Sequence, residues 1–152
     1  MRVIVVKDYA ELSRNAARMV AGQIYLKPDC VLGLATGSTP LGMYWELTQD
    51  YRDSGLNFAE VTTFNLDEYL GLAPDDPQSY HYYMQQNLFA KVNIKPEHTH
   101  IPTGQPQDIA TVCREYDAAI KAAGGIDLQV LGIGKNCHIG FNEPDLKFEA
   151  TT

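Results

Sequence analysis

The chain has 152 residues, 45% of them hydrophobic and 20% charged, which suits one globular domain and not a disordered segment. Twelve basic against nineteen acidic residues leave a formal net charge of −7, which argues against a nucleic-acid partner, since that would need a basic stripe. No apolar run approaches the roughly 18 residues needed to cross a bilayer, so no membrane span is expected.

The opening segment, Met1-Arg2-Val3-Ile4-Val5-Val6-Lys7-Asp8, is too short and too soon charged for a signal peptide. It reads as a first strand, and the expected setting is the cytoplasm. Cys30, Cys113 and Cys137 are odd in number and form no C-x-x-C pair, which speaks against a disulfide framework and against a zinc site. Asp8 with Glu11 predicts a capping box, and Leu12, Ala16, Met19, Val20 and Ile24 follow at helical spacing until Pro28. Cys30 to Ala35 reads as a buried strand. After Thr36-Gly37-Ser38-Thr39-Pro40 a second helix carries Leu41, Tyr44, Trp45 and Leu47.

Val61 to Asn65 is the next expected strand, running into Asp67 and Glu68. Ser79 caps a helix with Tyr83, Met84, Leu88 and Phe89. Lys95 to Gln107 holds three of the eight prolines and reads as a connection with one short strand at His100-Ile101. Asp108 to Ala123 is a helix closed by Gly124 and Gly125. Ile126 to Ile133 is a near-continuous apolar strand, and Gly134 to Pro144 is a polar loop. Alternation of apolar strands with helices predicts an α/β fold, a doubly wound parallel sheet with helices on both faces, Rossmann-like in class.

Three polar clusters each follow a predicted strand, and ligands of open parallel sheets bind beyond the carboxyl ends of the strands. Thr36, Gly37, Ser38 and Thr39 lie between a strand and a helix, where N–H groups, hydroxyls and a glycine make an anion cradle. Taken alone, the segment is a turn with a helix N-cap; its place beside the other clusters reverses that reading. The lysine of a P-loop is missing. Asp67 and Glu68 are adjacent acids with apolar neighbours on both sides, a setting that raises a carboxyl pKa towards neutrality. In the third cluster Asn136, His138 and Glu143 share one glycine-rich loop, a set able to move protons with the ring's tautomer fixed by its partners. The H-x-H of His98 and His100 sits in a proline-flanked connection and is read as accidental.

These residues carry a resemblance. Leu32-Gly33-Leu34-Ala35-Thr36-Gly37-Ser38-Thr39-Pro40, Thr63-Phe64-Asn65-Leu66-Asp67-Glu68-Tyr69 and His138-Ile139-Gly140-Phe141-Asn142-Glu143-Pro144 resemble the three signatures of the glucosamine-6-phosphate deaminase family, in order and spacing. The resemblance implies a deaminating aldose–ketose isomerase of amino-sugar catabolism. It would act on an amino-sugar phosphate and, by hydrolysis, release fructose 6-phosphate and ammonia without metal or organic cofactor. Thr36, Gly37, Ser38 and Thr39 would hold the phosphate, and Glu68 would support the substrate site. His138, oriented by Asn136 and Glu143, would open the sugar ring, and Asp67 would carry the proton from C2 to C1. The 6-phosphogluconolactonases share the fold and a similar glycine–histidine loop but lack the Asn142-Glu143-Pro144 continuation. A non-catalytic sugar-phosphate sensor of the same fold would usually have lost Asp67, His138 and Glu143.

The sequence departs from the family pattern in four places. Asn136 stands where many members have aspartate, and Cys137 where glycine is expected. Leu146 and Lys147 stand where activator-responsive members carry a serine pair. The family also continues beyond the position of Thr152, with further strands and the basic residues that clamp the phosphate. Residues 1–152 are therefore expected to be a single domain lacking its carboxy-terminal part, nearly inactive alone, and compatible with a homo-oligomer.

Overall fold

The computed structural model of the chain describes residues 2–140 and 142–145. Phe141, Leu146 and Lys147, singled out above, lie outside them. Among the described residues four α-helices and four strands alternate: α1 (Tyr9–Leu26), β1 (Val31–Leu34), α2 (Leu41–Asp53), β2 (Thr62–Asn65), α3 (Tyr80–Asn87), β3 (Thr99–His100), α4 (Ile109–Ala122) and β4 (Leu128–Gln129). The strands form one parallel sheet in the order β3-β2-β1-β4. The chain works outward from β1 through β2 to β3, then returns to the other side of β1. That reversal puts a switch point between β1 and β4, where the loops after both strands diverge and leave a crevice.

The caps form as the local sequence dictates. Asp8 accepts from the Glu11 N–H at 2.8 Å, Ser79 from Tyr82 at 2.9 Å and Asp108 from Thr111 at 3.2 Å. Glu11 reaches back to the Lys7 N–H at 3.0 Å, one residue earlier than an ideal capping box. Beyond α4, Gly124 and Gly125 take φ of 93° and 86°, the left-handed closure a glycine allows.

Alternate residues of each strand meet different layers. Leu32 and Leu34 of β1 join Val20, Ile24, Tyr44, Leu47, Met84 and Leu88 in a core under the first three helices. On the opposite face Phe64 stacks on the His100 ring at 4.4 Å and meets Tyr116 of α4 edge-on at 5.6 Å. The Tyr116 hydroxyl donates to the carbonyls of Asn65 and His100, pinning α4 across β2 and β3. His100 thus has a packing role.

Three expectations are corrected. Residues 2–6 belong to no strand, and Val3 and Val5 are 71% and 90% exposed. A β-branched run needs a ladder partner to become a strand, and none of the described strands lies beside it. In α1 the buried stripe is Ser13, Ala17, Val20, Ala21 and Ile24, while Leu12 and Met19 face outward. Close approach of α2 is the cause. A Cβ on Gly42 would overlap the Ser13 hydroxyl, so the contact face of α1 must be small. Finally, β4 is shorter than the Ile126–Ile133 run, and Leu131 and Ile133 are 46% and 72% exposed. Its ladder with β1 spans only Asp127 to Val130. No described helix is long and apolar enough to cross a membrane.

Candidate functional site

The three polar clusters emerge at the carboxyl ends of β1, β2 and β4, and the fold brings them together. β1 and β2 pair up to Leu34 opposite Asn65, and the Asn65 amide donates to the Leu34 carbonyl at 3.1 Å. The third cluster approaches the second at Gly140, where a Cβ would lie 3.8 Å from a methyl of Leu66, next to Asp67.

The described residues from Ile133 to Gly140, together with Asn142, form a fold-back. Ile139 bridges to both Ile133 and Asn142, and the Gly134 N–H donates to the His138 carbonyl at 2.9 Å. A Cβ on Gly134 would overlap the His138 ring, so the ring lies directly on the turn's backbone. The fold-back also brings Glu143 to Asn136, whose Nδ2 donates to Glu143 Oε2 at 2.8 Å. A carboxylate only accepts, so this bond fixes the orientation of the amide. Asn136 Oδ1 then faces His138 Nδ1 at 2.5 Å, and the ring must carry its proton on Nδ1. In the neutral ring Nε2 is then the nitrogen that can accept a proton.

Cys137, in the middle of this turn, is the one non-glycine among the described residues with positive φ, at 70°. A side chain in that region costs roughly 1–2 kcal/mol, while glycine loses about 0.5–1 kcal/mol more backbone freedom on folding. Cys137→Gly is therefore expected to raise the melting temperature by about 1–3 °C. A lower melting temperature would show that the thiol makes contacts that outweigh the strain.

Asp67 is half-buried beyond β2. Burial first, then the neighbouring Glu68 charge, push its carboxyl above the usual range. Glu68 turns the other way. Its oxygens accept from the N–H groups of Tyr69 and Tyr80 at 2.8 and 2.9 Å and of His81 at 2.9 Å, the latter two in the first turn of α3. It ties the Asp67 loop to a helix N-terminus, where a negative charge is favoured.

Sequence reasoning missed Tyr80. Its ring lies against that of Tyr69 at 4.8 Å, and its phenol is influenced by both Thr36 and Asp67, so it stands between the first cluster and the second. Burial, then Tyr69 and Asp67, raise its pKa, keeping it a neutral donor. The signal was the run Tyr80-His81-Tyr82-Tyr83, which spends three of the chain's nine tyrosines on four successive positions, more than one buried helix face can use. Among the described residues no group of His, Cys, Asp and Glu is gathered as a metal site.

Residues 7–140 match the family model described as glucosamine-6-phosphate isomerases/6-phosphogluconolactonase. The glucosamine-6-phosphate deaminase of Halothermothrix orenii is 58% identical over 152 residues, covering 100% of this chain and 63% of that protein. A solved structure described as a monomeric glucosamine-6-phosphate deaminase matches with a TM-score of 0.92 and 49% identity, over 95% of this chain and 60% of the other. The 6-phosphogluconolactonase from Plasmodium vivax shares the fold at a TM-score of 0.74 and 24% identity, over 91% of this chain and 50% of the other. The chain thus spans about three fifths of the length of the deaminases it matches. It belongs to the glucosamine-6-phosphate isomerase/6-phosphogluconolactonase family.

Proposed function

We propose that this chain carries the acid–base half of a glucosamine-6-phosphate deaminase active site. One observation carries the reading: the Glu143–Asn136–His138 chain, which makes Nε2 the accepting nitrogen of the neutral His138 ring. A proton acceptor of that kind can take the anomeric hydroxyl proton of a pyranose and pass it to the ring oxygen as the C1–O5 bond breaks, which leaves the open-chain aldehyde. Asp67 then removes the C2 proton from the open-chain aldehyde as O1 gains a proton from solvent, giving an enolamine, and delivers its own proton to C1, which leaves a protonated imine at C2. That imine adds water and expels ammonia, leaving fructose 6-phosphate. Each bond to carbon that forms or breaks here is assisted by a proton transfer, which side chains can supply.

The sugar phosphate would rest on Thr36, Gly37, Ser38 and Thr39, with Glu68 holding the Asp67 loop in place. The matched deaminases support this reading over lactone hydrolysis, as does the coexistence of Asp67 with the His138 set. The cytoplasmic setting belongs to the same proposal, and the free thiols of Cys30, Cys113 and Cys137 fit a reducing compartment.

The test is made on the complete gene product. Glucosamine 6-phosphate should yield ammonia and fructose 6-phosphate in equal amounts, and 6-phosphogluconolactone should hydrolyse no faster than in buffer. Lactone turnover without ammonia release would reverse the assignment.

A further inference from the structure

The segment that follows β1 is held from outside by tyrosine hydroxyls, one from each of the first three helices. Tyr44 of α2 donates to the Ala35 carbonyl at 2.5 Å, and Tyr83 of α3 donates to the Gly37 carbonyl at 2.6 Å. Tyr9 of α1 reaches the Thr39 carbonyl at 2.9 Å and the Ser38 carbonyl at 3.2 Å, and accepts from the Gly42 N–H at 2.8 Å. Space for Tyr9 is reserved, because a Cβ on Gly42 would sit 3.1 Å from its ring. The rings of Tyr44 and Tyr83 meet edge-on at 6.4 Å. Burial keeps the phenols of Tyr44 and Tyr83 protonated, the latter pushed up to about 12, so both can serve as donors.

In a trans peptide the carbonyl of one residue and the N–H of the next point in opposite directions. Drawing the Ala35, Gly37 and Ser38 carbonyls towards the helices therefore turns the N–H groups of Thr36, Ser38 and Thr39 to the other side. Thr39 precedes Pro40, so that peptide has no N–H to offer, and Tyr9 removes its carbonyl from the cradle as well. Without the tethers, Gly37, at φ 103°, could let the Gly37–Ser38 peptide flip and present a carbonyl oxygen to an anion.

We propose that Tyr9, Tyr44 and Tyr83 are positioning residues that hold the 35–39 loop with its N–H groups presented to a phosphate. The inference rests on the phosphate-cradle reading above. The tyrosines do not touch the ligand; they fix the peptide planes that do. A preorganised set of N–H donors binds without first reorienting, and each tether contributes as an ordinary hydrogen bond does.

The test is a titration of the full-length protein with inorganic phosphate, followed by amide NMR, alongside Tyr9→Phe, Tyr83→Phe and the remote control Tyr25→Phe. The native protein should show saturable shifts at the amides of Thr36, Ser38 and Thr39. Each of the two tether variants should bind roughly 3–10-fold more weakly. Tyr25→Phe should bind as the native protein does. With glucosamine 6-phosphate the same variants should raise KM and leave kcat within about twofold, a split that general destabilisation does not produce. If Tyr83→Phe fails to fold, Tyr9→Phe, altered at a half-exposed ring, decides alone. Native-like phosphate affinity in a folded tether variant overturns the tyrosine proposal and leaves the cradle reading intact. Absence of shifts at these amides in the native protein overturns both.

Discussion

Asp67→Asn is expected to lower turnover of glucosamine 6-phosphate by roughly 10²–10⁴-fold while leaving KM within a few-fold of its native value. The amide keeps the size of the carboxylate but lacks the basic lone pair that removes a proton from carbon. Uptake of solvent deuterium at C1 of the product should fall in step with ammonia release. On the phosphate-cradle proposal the phosphate would rest on the 36–39 loop, away from Asp67, so ground-state binding has little reason to change. Burial and Glu68 hold the Asp67 carboxyl above its usual range, so the native rate should decline as pH drops through that raised value.

The same shift predicts a gain in stability. A carboxyl with a raised folded pKa costs nothing below its unfolded value of about 3.9 and costs most above the folded one. Asp67→Asn should therefore melt at a higher temperature than the native protein at neutral pH, with the difference vanishing in acid. Loss of activity with gain of stability is the mark of a strained functional group. If Asp67→Asn keeps near-native turnover while Glu68→Gln abolishes it, the base is Glu68. The three backbone bonds that Glu68 accepts argue for its role as a tie.

Gly134→Ala should lower kcat by about 100-fold, the scale expected when a reacting group is displaced by about 1 Å. The new methyl would overlap the His138 ring, which cannot turn aside without breaking its bond to Asn136. The backbone itself is not the obstacle, since Gly134 is not among the positive-φ glycines. Secondary structure and melting temperature should stay near native, because the loop lies outside the core. Native-like kcat would mean that the ring's seat on Gly134 is irrelevant to the chemistry.

Elements governed by short-range rules are legible in the amino-acid sequence alone. Asp8, Ser79 and Asp108 cap helices because each side chain needs only an N–H three residues away. The glycines after α4 close it for an equally local reason. Strands β1 and β2 are marked by apolar runs of the right length, and the polar residues just past them point to one end of a parallel sheet. Asn136, His138 and Glu143 lie close enough in sequence that a single fold-back can join them.

What the sequence leaves open depends on partners far along the chain. Whether residues 2–6 form a strand is decided by the presence of a neighbouring strand, not by their β-branched side chains. Which face α1 buries is decided by how closely Gly42 lets α2 approach, and that selects Ser13 and Ala17 over Leu12 and Met19. Glu68, in sequence merely the neighbour of Asp67, finds its role at an α3 N-terminus twelve residues on. Tyr9, Tyr44 and Tyr83 are spread over three helices, and no spacing rule relates them. Only the packing of those helices beneath one loop aims their hydroxyls at its carbonyl groups, because hydrogen bonds between distant segments exist only once the chain has folded.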